Sequence, residues 1–129
     1  MVRQEFYIGS SWRVIAYYNV DYTSFKLVKK DLEALEASQD EIEEIYRKMS
    51  KGEAKAVTFS SRFLHASIVL FNRHSSLPDY LNSIVHEAEH VKQAVLKAYR
   101  IDDFGEEPAY TVGYIVERMY RAFRNSAFL

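Results

Sequence analysis

Apolar and polar positions alternate along the first part of the chain and then change period. Phe6-Tyr7-Ile8, the turn Gly9-Ser10-Ser11 and the stretch Trp12–Val20 read as strand, turn and strand. A period of two puts Trp12, Val14, Ala16, Tyr18 and Val20 on one face of the second strand. Phe25–Val28 reads as a further short extended piece. From 31 to 51 the period becomes helical, with Leu32, Leu35, Ile42, Ile45 and Met49 on one face. Ser38 and Glu41 form a capping-box pattern, so a helix begins or restarts there, and Gly52 ends it.

Two more strands follow, Ala56–Ser60 and Leu64–Phe71. Alternation sets His65, Ser67, Val69 and Phe71 on one face of the latter and Ala66, Ile68 and Leu70 on the other. After the loop Asn72–Pro78, a helix is predicted over 78–100, with Pro78 suited to its first turn. Its apolar seam is Leu77, Leu81, Ile84, Ala88, Val91, Val95 and Ala98. Ile101–Gly105 is a short connection to a last helix over Glu106–Asn125, with Pro108 in its first turn. The pattern predicts one α+β domain spanning 1–129: a small, mostly antiparallel sheet packed on helices.

Composition narrows the function. Apolar residues make up 48% of the chain, enough for a packed core. The net charge of -1 gives no electrostatic reason to expect nucleic acid or an anionic membrane as partner. No apolar run reaches the length of a membrane span, and Met1-Val2-Arg3-Gln4-Glu5 does not read as the start of a secretory signal. A cytoplasmic location is the default expectation. With no cysteine, disulfides and thiolate metal sites are excluded.

The helix over 78–100 carries His86-Glu87-Ala88-Glu89-His90. Spacing of four stacks His86 and His90 one turn apart, opposite the apolar seam and beside Asn82, Gln93 and Lys97. Two imidazoles so placed can reach one Zn²⁺ at roughly 2.0–2.1 Å. Glu87, rotated by about 100°, suits the role of a base for water held by the metal. Glu89 points aside and is expected in solvent. A catalytic zinc needs a third protein ligand. Glu106 and Glu107 are the candidates. A wheel with Ala109, Val112, Val116, Met119, Tyr120 and Phe123 as the apolar face favours Glu106, at its edge near Gly113. Glu107 falls on the polar side with Tyr114, Arg118 and Arg121. Pro108 weakens that preference if it is the first helical residue, and an acidic helix N-terminus is itself favoured by the dipole.

His86-Glu87-Ala88-Glu89-His90 followed by Glu106-Glu107-Pro108-Ala109-Tyr110 resembles the zincin-like metallopeptidases of the gluzincin type, over roughly residues 56–125. It is also similar to small zincin-like proteins of bacteria and their phages. The resemblance implies zinc held by His86, His90 and Glu106, with Glu87 passing the water proton to the leaving amine of a peptide or protein substrate. Tyr110 stands where thermolysin-like enzymes carry an aspartate that orients a histidine, and could take over that bond. Tyr110, His74 and His65 are candidates to stabilise the oxyanion. The strand over 64–71 resembles the zincin edge strand that binds an extended peptide. The large second lobe of those enzymes is missing. Two other readings stay open. One is a non-catalytic metal-binding domain. The other is a metal-free interaction domain, with the acidic helix over 31–51 as a partner surface.

Overall fold

β1 (Val2–Ile8) and β2 (Trp12–Tyr18) form an antiparallel hairpin, with Phe6 opposite Val14. In this computed structural model, which describes residues 1–126, β2 pairs in parallel with β4 (Ala66–Phe71). β4 in turn pairs antiparallel with β3 (Ala56–Ser61). The sheet is therefore mixed, in the order β1-β2-β4-β3. α1 (Phe25–Ala34) and α2 (Gln39–Ser50) cross from β2 to β3, and α3 (Leu77–Tyr99) and α4 (Glu106–Ser126) follow β4.

The sheet has a core on each face. Trp12, Val14, Ala16, Tyr18, Val69 and Phe71 pack against Tyr80, Ile84, Ala88, Val91 and Val95 of α3 and Ile115, Met119 and Phe123 of α4. On the other face Ile15, Tyr17, Ala66, Ile68 and Leu70 meet α1 and α2 through Phe25, Val28, Leu32, Ile42, Ile45 and Met49. Burying a side chain such as Ile84 or Phe123 contributes roughly 1.5–3 kcal/mol. β2 and β4 are the interior strands, and every residue of β4 is buried. α3 lies over β3 and β4, whereas α4 lies over β1 and β2.

Several sequence expectations change. Phe25–Val28 is the start of a helix, not a strand, preceded by a single 3₁₀ turn at Tyr22–Ser24 capped by Asp21. Phe25, Val28 and Leu32 are spaced three and four apart and are buried together, so helical period outweighs β-rich composition. The helix over 31–51 is two helices broken at Leu35–Ser38. Glu36 adopts a left-handed φ of 64°, and the Ser38–Glu41 capping box restarts the helix. Gly52, at φ 72°, follows α2 as expected of a glycine helix stop.

The strand expected from Leu64 begins at Ala66; His65 sits in the preceding turn with φ 51°. That strand is also interior, paired on both sides, so it offers no free edge for a peptide. The free edge on this side of the sheet belongs to β3. No helix of the described residues is long and apolar enough to cross a membrane.

Candidate functional site

α3 starts with Ser76 as N-cap, its hydroxyl accepting from the Asp79 amide, and with Pro78 in the first turn. Tyr80, Ile84, Ala88, Val91 and Val95 fix its rotation against the sheet. That rotation leaves His86 and His90 exposed and turns Glu87 inward at the edge of the buried face, 4% exposed. Glu87 is the one buried acid among the described residues. A carboxylate withdrawn from water needs hydrogen-bond partners. Thr58 Oγ1 on β3 donates to Glu87 Oε1 at 2.8 Å. Alternation along β3 turns Ala56, Thr58 and Ser60 to the α3 side, while Val57 and Phe59 pack on the opposite core.

His86 Nε2 and His90 Nε2 stand 3.2 Å apart, with the rings at 74° to each other. Two nitrogens bound at 2.0–2.1 Å to one tetrahedral ion are roughly 3.3 Å apart, so the pair fits a chelate. With one ring in its Nε2–H tautomer the same contact is a hydrogen bond. Glu87 Oε2 lies 4.0 Å from His86 Nε2, so carboxylate and chelating nitrogens share one small region. A groove of about 300 Å³ runs on from His90 between α3 and β3, lined by Thr58, Ser60, Arg62, Gln93, Ala94 and Lys97.

Glu106 and Glu107 are not brought to this site. α4 begins at Glu106, and its buried face is Pro108, Ile115, Met119 and Phe123. Counting 100° per residue, Glu106 lies about 140° and Glu107 about 120° around the helix from that face. Both are exposed, as are Ala109, which the sequence wheel set on the apolar face, and Gly113 near its edge. Glu106 also sits just beyond the α3–α4 turn, while His90 is nine residues before the end of α3, roughly 13 Å along its axis. Among the described residues no group of three or more His, Cys, Asp or Glu is placed to hold a metal ion. Tyr110 is 74% exposed on α4, the helix on the β1–β2 half of the sheet.

The two other histidines are occupied elsewhere. His65 stacks on Trp12 at 5.5 Å and meets the Tyr99 hydroxyl at 3.2 Å near the end of α3. His74, in the loop before α3, is held by Asn72 and Ser83. Its Nδ1 donates to the Asn72 carbonyl at 2.7 Å, so in the neutral ring Nε2 accepts from Ser83 Oγ, also at 2.7 Å. Ser83 precedes Glu87 by four residues on the same side of α3.

Sequence reasoning missed Thr58 as the partner of Glu87. Its signal was the alternation of Ala56, Thr58 and Ser60, a polar stripe on a strand beside the motif helix. Glu89, expected in solvent, pairs with Lys92 at 2.6 Å, and Asp103 reaches the same ammonium at 2.9 Å. Burial alone would lower the Lys92 pKa; hydrogen bonds and charge from Glu89 and Asp103 outweigh it and hold the group above its ordinary value.

The chain matches no protein-family model, and no curated protein or solved structure matches it. These results, with no three-ligand group among the described residues, overturn the resemblance to gluzincin-type metallopeptidases and to their small bacterial and phage counterparts. What stands is a small α+β fold carrying two adjacent histidines and a buried glutamate.

Proposed function

We propose that the protein is a metal-dependent hydrolase acting on an extended peptide, with His86 and His90 supplying two of the ligands to Zn²⁺ and Glu87 serving as general base. The observation that carries the reading is a single buried carboxylate, fixed by Thr58, beside two imidazole nitrogens 3.2 Å apart. A buried acid has a desolvation cost that surface placement would avoid, so its position beside an open groove calls for a role. Zn²⁺, when bound, polarises a carbonyl and acidifies water. Glu87 takes the proton of the attacking water and passes it to the leaving amine. Thr58 holds Glu87 Oε1, leaving Oε2 as the atom that receives the proton. The edge of β3 leaves backbone groups for an extended substrate to pair with.

The exposed, outward position of Glu106 favours a second reading, a two-histidine metal-binding domain without turnover. The test that separates them is Glu87→Gln. Loss of peptide cleavage with zinc content unchanged supports the hydrolase. Zinc bound by the wild type with no cleavage of a mixed-sequence peptide library supports the second reading.

A further inference from the structure

We infer that the groove between β3 and α3 selects a peptide carrying an anionic side chain, which Arg62 and Lys97 hold; this rests on the peptide reading given above. His90 opens the groove on α3 and Lys97 stands seven residues further on, two turns along the same stripe, roughly 10 Å away. Arg62 lines the groove from the turn that follows β3. Neither side chain makes an ion pair or a hydrogen bond among the described residues, and no acidic residue lines the groove with them. Two like charges left to line one concave surface repel each other, and an anion between them removes that repulsion. Guanidinium and ammonium both accept carboxylate or phosphate, so the shared chemistry is an acidic or phosphorylated side chain. Thr58 and Ser60 line the strand side between this anion site and His90. The geometry therefore sets the anionic residue about 10 Å from the histidines, three residues of extended chain from the bond to be cut.

The test uses the whole, metal-free protein and three fluorescent six-residue peptides, blocked at both ends, with glutamate, phosphoserine or glutamine at the centre. Anisotropy titration is expected to give about tenfold tighter binding for the two anionic peptides than for the glutamine one. The preference should disappear in Arg62→Ala/Lys97→Ala and shrink with added salt. Tighter binding of phosphoserine than glutamate identifies phosphate as the preferred anion; equal binding identifies a single negative charge. Equal affinity for all three peptides, no binding of any, or an unchanged preference in the double variant would overturn the inference. Anion preference without zinc binding in the wild type would remove the hydrolase reading alone; zinc-dependent cleavage without anion preference would remove this one alone.

Discussion

Thr58 Oγ1 donates to Glu87 Oε1 at 2.8 Å across the seam between β3 and α3. The hydroxyl belongs to the outermost strand and the carboxylate to the motif helix, so strand register decides whether the proposed base is held. Thr58 stands opposite Val69, and Ser60 opposite Ser67; a one-residue slip would turn Val57 or Phe59 toward Glu87 instead.

Thr58→Val, nearly isosteric, leaves the buried carboxylate without that donor. The expected cost is about 1–3 kcal/mol at neutral pH, read from urea unfolding. A double-mutant cycle with Glu87→Ala should return a coupling of about 0.5–3 kcal/mol. Strict additivity would mean that the bond does not stabilise the fold.

The position of α4 has a direct consequence for metal binding. Glu106→Ala and Glu107→Ala should each leave zinc affinity unchanged, because both side chains point away from the α3 site. Tyr110→Phe should likewise leave both affinity and turnover alone. A large loss of zinc in either glutamate variant, measured by competition with a chromophoric chelator, would contradict the placement of α4.

Stability should fall on the alkaline side. Burial raises the Tyr18 pKa far above its ordinary 10, with the nearby Tyr80 adding to it, and Tyr80 is itself pushed up to about 12, chiefly by burial. A tyrosine that stays protonated in the fold and ionises at 10 when unfolded stabilises fully below pH 10 and loses that contribution as pH rises. Lys92, held above its ordinary 10.5, acts in the same direction. Its pairing with Glu89 and Asp103 is present below 10.5 and fades as the ammonium deprotonates in the fold. Urea midpoints between pH 8 and 11.5 should therefore fall from about pH 10 upward, and Tyr18→Phe should flatten the decline. An equally steep decline in that variant would rule out Tyr18 as a main source.

The sequence carried the helices well where capping and period agreed. Ser38 with Glu41, and Pro78, mark starts that the structure keeps. It misled at Phe25–Val28, where aromatic and β-branched residues suggested a strand although Phe25, Val28 and Leu32 hold helical spacing. His86, Glu87 and His90 were legible because one helix sets their relation, four residues and 100° per step being local facts. Glu106 was not, since its direction depends on how α4 rolls on the sheet. Ile115, 0% exposed and absent from the face drawn on the sequence wheel, fixes that roll together with Met119 and Phe123. Thr58 was hidden for a related reason: its partner lies 29 residues away and depends on which strand forms the edge.

The central claim is that His86 and His90 form one chelating pair. Zinc titration of the wild type, His86→Ala and His90→Ala at pH 7.5 and 5.5 tests it most directly. The expected result is one zinc per chain at pH 7.5, weaker binding at pH 5.5 as protons compete for the imidazoles, and loss in either variant. Binding that survives in both single variants, or no binding by the wild type at pH 7.5, would contradict it.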